Sequence, residues 1–256
     1  LRAFRSAVKN FTPQLLTMAV LSILMTTLYK VSPGSLALAF VPLILVYYST
    51  SNYLRLRKES ELAFRKISDL LESRDKYTGD HSDDVEELAV QLADELHCSD
   101  ETIEAIRVGA AIHDIGKIAI PDAILHKLGP LNEEEFEVMK QHTIIGAEIL
   151  QNLDVYRNVV PIVRHEHEHW DGSGYPDGLG KDEIPVGARI VAVADVYSAL
   201  TTERGYRPPQ GKPLSYTHEE ACEILRKMAG GVLDPDLVDR FIEMLPEGRK
   251  PQSAPS

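Results

Sequence analysis

Apolar residues recur every three or four positions in five stretches of this chain: Val85–Leu96, Glu101–Ile112, Glu133–Leu150, Tyr156–Val163 and Glu219–Met228. That period matches the 3.6-residue turn of an α-helix, and no stretch shows the strict alternation of a half-buried strand. The spacing predicts an all-α domain in which each helix buries one stripe against a shared core. A Gly/Pro-rich stretch from Asp171 to Pro185 interrupts the pattern and predicts a long loop. The tail from Pro246, PEGRKPQSAPS, has too little apolar content to pack and reads as disordered.

The N-terminal part has a different character. Pro13 to Tyr29 carries no charge, and neither does Ser35 to Leu54, with Lys30-Val31-Ser32-Pro33-Gly34 between them. Each run approaches the ~20 residues that span a bilayer as a helix, so two transmembrane helices are expected; the alternative is a pair of helices buried in a core. Arg2, Arg5 and Lys9 precede the first run, Arg55, Arg57, Lys58, Arg65 and Lys66 follow the second, and the turn between them holds only Lys30. The excess of positive charge on the outer flanks puts both flanks, and everything after them, on the cytoplasmic side. The expectation is therefore a multi-pass protein of the inner membrane with the lipid bilayer as a partner. From Leu54 to Ser73, Ala63, Phe64, Ile67, Leu70 and Leu71 recur at helical spacing among charges. This reads either as a signalling helix that pairs with its copy in a homodimer or as the first helix of the following domain. The expected organisation is a membrane segment over 1–54, a linker helix over 55–73, a helical domain over 74–245 and a disordered tail over 246–256. The first residue is Leu1, so the chain reads as a fragment of a longer protein.

The formal net charge is −12. A protein that grips a nucleic-acid polymer needs a basic face, so that function class is set aside, while a pocket for one small anion is not. Two cysteines, Cys98 and Cys222, stand far apart in no ligand pattern and suit a reducing compartment. Six of the nine histidines, by contrast, fall between His113 and His169.

Several of these lie in apolar helical settings beside carboxylates. The segment AAIHDIGKIAIP runs from Ala110 to Pro121 and places adjacent His113 and Asp114 in an apolar helix. A buried His–Asp pair is costly unless a partner compensates it, and a bound metal ion is one such partner. The two oxygens of Asp114 can bridge two ions, and Lys117, one helical turn after His113, can hold a phosphate oxygen beside them. Taken alone, the segment also fits a structural His–Asp hydrogen bond with a solvated lysine. The rest of the chain adds His81 after SRDKYTGD, His142 in KQHTIIGAEIL, the run VRHEHEHWDGSGYPDGLG from Val163 to Gly180, and Asp195 in ARIVAVADVYSALTTERGYR. Four separate helical segments, each offering an imidazole or a carboxylate, match the design of a metal centre built inside a helical bundle.

With these pieces in this order, the chain from about Leu70 to Leu245 resembles the HD-GYP family of phosphodiesterases, a branch of the HD superfamily. The resemblance implies an HD-superfamily helical bundle with a C-terminal GYP loop region. It also implies a metal-dependent phosphodiesterase that hydrolyses cyclic di-GMP to pGpG or GMP. Two divalent ions, iron or manganese, would be held one by His81, His113, Asp114 and Asp195, the other by Asp114, His142, Glu166 and His167. Family members usually have two histidines where this chain has Glu166 and His167, so Glu166 departs from the pattern; His165 is the alternative ligand. Three-metal members carry a glutamate at the position of Tyr77, so a two-metal centre is expected. The resemblance gives Asp114 and Lys117 catalytic roles, and gives Gly174, Tyr175 and Pro176 of the loop, with Arg204 and Arg207 after the last ligand, roles in substrate binding. Its implied partners are cyclic di-GMP and a diguanylate cyclase or other signalling protein. Two further readings stand beside it: the same fold acting on another cyclic dinucleotide or nucleotide ester, and a binding module that has lost catalysis, with Glu166 as its mark.

Overall fold

The computed structural model describes residues 19–32, 34, 36–74, 81–127, 129–202 and 215–245. The chain divides into two compact units, Leu1–Glu59 and Ser60–Ser256. In the first, residues 19–31 are helical, and helix α1, Leu36–Arg74, begins there and runs on into the second.

Among the described residues, no helix is long and apolar enough to cross a membrane. This corrects the expectation of two transmembrane helices, and with it the multi-pass inner-membrane location and the bilayer as a partner. The physical reason is that an uncharged run need not be apolar throughout. The apolar part of α1 ends at Val46, and Tyr47 to Tyr53 reads YYSTSNY, uncharged but polar. What remains apolar, 36–46, rises only about 16 Å against a hydrocarbon core of about 30 Å, and Pro42 lies inside it. Of the first uncharged run, residues 13–18 lie outside the described residues, and the helical residues 19–31 rise about 20 Å.

Among its described residues the second unit is helical throughout, as the spacing predicts. After α1 come α2 (His81–Glu95), α3 (Asp100–Ile112), a 3-10 helix over His113–Ala119 and the short α4 (Asp122–Leu125). Next are α5 (Glu133–Gln151), α6 (Val160–His165), α7 (Val186–Thr201), α8 (His218–Met228) and α9 (Pro235–Met244), with 3-10 turns at Asp154–Tyr156 and Lys181–Glu183. An isolated bridge between Ala229 and Leu233 is the strand-like pairing found among the described residues.

Side-chain caps set several boundaries. Asn132 accepts from the Glu135 amide while the Glu135 carboxylate accepts from the Asn132 amide, both at 2.8 Å, which starts α5. Thr217 and Glu220 repeat the device at α8, Ser99 caps α3 and Asp234 caps α9. Helix α7 is apolar nearly all round, with Ala188, Ile190, Val191, Val193 and Ala194 fully buried, and it sits at the centre with α2 and α3 packed on it. Phe64 and Ile67 of α1 pack against the same core, with Phe64 edge-on to Tyr156 at 5.4 Å.

Helix α3 ends sooner than AAIHDIGK suggests. Ile112 leaves helical geometry (φ −129°, ψ 16°), and His113 opens the 3-10 helix. His113 and Asp114 therefore lie at a change of helix type, and Lys117 pairs with Asp114, one 3-10 turn back, rather than sharing a face with His113.

Candidate metal centre

The 3-10 helix lies against α5, and Gly116 makes the contact: a Cβ there would overlap the backbone oxygen of His142. The sequence-predicted residues converge around this contact in two trios. Donor atoms of His81, His113 and Asp195 lie within 4.8 Å of one another, and so do those of His142, Glu166 and His167. Asp114 faces both. Its Oδ2 is 3.4 Å from His113 Nε2 and its Oδ1 is 3.6 Å from His142 Nε2. Five elements contribute: α2, the 3-10 helix, α5, the turn after α6, and α7.

The imidazoles are oriented by their own backbone. His113 Nδ1 donates to the Ala110 carbonyl and His142 Nδ1 to the Met139 carbonyl, each at 2.7 Å. A carbonyl only accepts, so Nδ1 carries the proton and Nε2 turns toward the carboxylates, the orientation a metal-binding histidine needs. His81 is held from both sides, Nε2 at 3.0 Å from Asp195 Oδ1 and Nδ1 at 2.9 Å from Ser198 Oγ.

The electrostatics ask for positive charge. Burial alone would raise Asp114 and Asp195, yet both carboxyls are held well below the usual range, Asp114 by Lys117 and His113 and Asp195 by His81 and His113. Burial opposes the charged form of His113, but Asp114, Glu166 and Asp195 raise it well above an ordinary histidine. His142 Nε2 and both oxygens of Glu166 are buried with no hydrogen-bond partner. Buried polar atoms are almost always satisfied, and orphaned imidazole and carboxylate lone pairs aimed at one point fit the demand of a divalent cation. The donor set of both trios, oxygen and nitrogen without sulfur, suits such an ion.

The structure brings Glu166, not His165, beside His142 and His167. His165 turns away: its Nδ1 faces the Pro161 carbonyl and its Nε2 lies 2.9 Å from Asp177 Oδ2. Lys117 Nζ sits 2.7 Å from Asp114 Oδ2. Of the loop residues Gly174, Tyr175 and Pro176, Tyr175 reaches the second trio, its ring stacked on His167 at 5.0 Å and its amide donating to the His167 carbonyl. Burial and the nearby carboxylates Glu166 and Asp114 push the Tyr175 hydroxyl well above its ordinary value, so it keeps its proton at neutral pH. A Cβ at Gly174 would overlap the backbone of Glu168 and His169, which is why the loop closes so tightly there. Arg204, Arg207 and Tyr77 lie outside the described residues.

Three features, at Ser198, Glu168 and Arg164, escaped the sequence reading. Ser198, one turn after Asp195, supports His81. Trp170 packs against the Arg189 guanidinium, which pairs with Asp234 at 2.7 Å, so the loop is anchored to the start of α9. Glu168 is buried, and its carboxylate accepts from the amides of Asp177 (2.7 Å) and Leu179 (3.0 Å), clamping the far side of the loop. Arg164 grips Asp177 with two bonds of 2.8 Å. The alternation HEHEH was the available signal, since neighbouring positions in so short a stretch cannot all face one site.

Two predictions follow from the clamp. Glu168→Gln keeps the shape but can accept through only one oxygen and turns an NH2 toward an amide donor. It should lower stability by about 1.5–3 kcal/mol, read as the midpoint of urea unfolding; an unshifted midpoint would show that the clamp is not formed. Asp177 is pulled to about 2, chiefly by its bonds to Arg164, with His165 adding to the pull. Its folded value lies below the unfolded one, so its contribution is present above about pH 4 and is lost as pH falls toward 2. The pair is partly exposed and screened, so the effect is small. Asp177→Asn should flatten that part of the acid limb in thermal melts between pH 2 and 5, and identical curves for the two proteins would contradict the pairing.

An all-helical domain that gathers four histidines and three carboxylates around orphaned lone pairs defines a class: helical proteins whose buried site could hold divalent ions. The chain belongs to the HD domain family, whose model matches residues 65–237. It is 43% identical over 177 residues to a cyclic di-GMP phosphodiesterase of Thermotoga maritima, covering 68% of this chain and 46% of that protein. It is 40% identical over 180 residues to the cyclic di-GMP phosphodiesterase response regulator RpfG of Xanthomonas campestris pv. campestris, covering 69% and 46%. Among solved structures the fold is similar to that of Bd1817, an HDGYP protein from Bdellovibrio bacteriovorus, with a TM-score of 0.52, 24% identity, and coverage of 65% of this chain and 51% of that one. The chain thus spans about half the length of the curated relatives it matches.

Proposed function

We propose that this chain is a metal-dependent phosphodiesterase of the HD-GYP branch that hydrolyses cyclic di-GMP to pGpG, to GMP, or to both. The observation that carries the reading is the set of orphaned buried atoms, His142 Nε2 and both oxygens of Glu166, inside a ring of oriented imidazoles and carboxylates. One divalent ion would be held by His81, His113 and Asp195 and a second by His142, Glu166 and His167, with Asp114 serving both; iron or manganese is proposed for each. When bound, such ions supply Lewis-acid activation of water and of the phosphoryl oxygens.

The chain's own residues do the rest. Hydrolysis forms one P–O bond to a water oxygen and breaks the bond to a 3′ oxygen, and the proton lost by water balances the one the 3′ oxygen gains. Lys117, partnered by Asp114, would steady a non-bridging phosphoryl oxygen as charge grows there. Tyr175, stacked on His167, would cover one side of the site and its protonated hydroxyl would offer a donor, with Gly174 and Pro176 shaping the loop on either side for substrate binding. Arg204 and Arg207 enter as phosphate contacts on the sequence resemblance alone. A second copy of the chain and a diguanylate cyclase or other signalling protein complete the proposed partners.

The test is hydrolysis of cyclic di-GMP by the purified chain loaded anaerobically with iron(II) or with manganese(II), with a chelated sample and an Asp114 variant as controls. Metal-dependent release of pGpG or GMP is expected. Two bound metals without turnover would move the search to other cyclic dinucleotides, and no bound metal would leave a binding module.

A further inference from the structure

An aromatic track leads out of the centre. The His142 ring meets His167 edge-on at 5.1 Å, His167 stacks on Tyr175 at 5.0 Å, and Tyr175 meets Phe136 edge-on at 6.1 Å. The track begins in the buried core and ends at a phenylalanine that leaves 45% of its surface exposed. Lys140, one turn along α5 from Phe136, holds its ammonium 5.3 Å from the Phe136 ring centre and 5.7 Å from that of Tyr175. Its acidic partner is Glu137, itself 68% exposed on the same helix. The Lys140 side chain is 22% exposed, and a one-turn pair with its carboxylate in solvent is worth little, so a stronger anion can take the lysine from it.

The described centre accounts for one phosphate. A cyclic dinucleotide carries two, and its second half has to lie against something outside the buried trios. Two bound divalent ions would offset the charge of Asp114, Glu166 and Asp195, and the second phosphate and its base would take their own cation and apolar face at the mouth of the site. Phe136 and Lys140 bring both together at the end of the track. Every purine has a π-face that stacks on an aromatic ring, and an ammonium beside the ring suits the attached phosphate.

We propose that Phe136 and Lys140 form an outer subsite, which takes the purine base and phosphate of the half of a cyclic dinucleotide that is not being cut. The inference rests on the phosphodiesterase reading and adds the residues that select a dinucleotide over a simple diester. It is tested on the full, manganese-loaded chain with cyclic di-GMP and with methyl p-nitrophenyl phosphate, a diester with one phosphate and no base. In Phe136→Ala and in Lys140→Met, the ratio of kcat/KM for cyclic di-GMP to kcat/KM for the small diester should fall about tenfold, through KM. Phe136→Trp should keep the ratio. A ratio within twofold of wild type in both variants, including a parallel loss on both substrates, would overturn the subsite. Wild-type chain that cleaves the small diester yet neither cleaves cyclic di-GMP nor binds it in calorimetry would overturn the function reading and the subsite together.

Discussion

Replacing Asp114 by alanine is expected to empty the centre of metal and to lower phosphodiester hydrolysis at least about 10³-fold. The residue is unusual in that each of its oxygens faces a different trio, 3.4 Å from His113 and 3.6 Å from His142. Loss of any other carboxylate would weaken one trio, whereas loss of this one weakens both. The fold should survive. Lys117, the ion-pair partner left behind, has a side chain 21% exposed and can turn to water. Metal content by plasma emission, kcat, and the far-ultraviolet dichroism of the chelated proteins separate these effects. Two metals retained by a folded Asp114→Ala protein would sink the assignment of this residue to both trios.

The second large effect is expected at a residue with no side chain. In Gly116→Ala, the new methyl would overlap the backbone oxygen of His142 and press on the amide of Gly146. Both obstacles are main chain within a helix and cannot rotate aside as a side chain would. The 3-10 helix must lift from α5, taking His113 and Asp114 away from His142. The expected cost is more than about 3 kcal/mol, at the upper end for overpacking, with loss of metal in parallel. Gly129 is the control, because a Cβ there meets nothing within 4 Å; Gly129→Ala should shift stability by less than about 1 kcal/mol. A wild-type urea midpoint for Gly116→Ala would mean that the two helices are not in contact as described.

Much of the fold could be read from spacing. The periodic stretches at Glu101–Ile112 and Glu133–Leu150 became α3 and α5 with ends moved by one residue, because their starts carry caps and their stripes face one core. His81, His113, Asp114, His142 and Asp195 stood out as imidazoles and carboxylates in apolar stretches, which have few other fates, whereas the choice of Glu166 and His167 from the HEHEH run, and the grouping of all seven into one centre, came from the family resemblance. Other features were not. Period alone does not distinguish an α-helix from its 3-10 continuation, so the break at Ile112 and the pairing of Lys117 with Asp114 were missed. Long-range partners such as Glu168 with the amides of Asp177 and Leu179 leave no periodic trace. The N-terminal error was of another kind: tyrosine, serine and asparagine after Val46 carry no charge, yet their hydroxyls and amides are too polar for hydrocarbon.

The self-anchoring of His113 and His142 has a consequence for how such a centre arises. Each ring is locked by a carbonyl three residues earlier in its own chain, Ala110 for one and Met139 for the other. Neither needs a dedicated supporting side chain from elsewhere, so orientation comes with the local backbone and a single substitution to histidine installs a ready-aimed donor. What has to be inherited is the spacing of the helices, not a web of supporting residues. A centre assembled this way is portable: the same two helical segments, grafted at the same separation onto an unrelated bundle, would present the same pair of Nε2 atoms to an incoming ion.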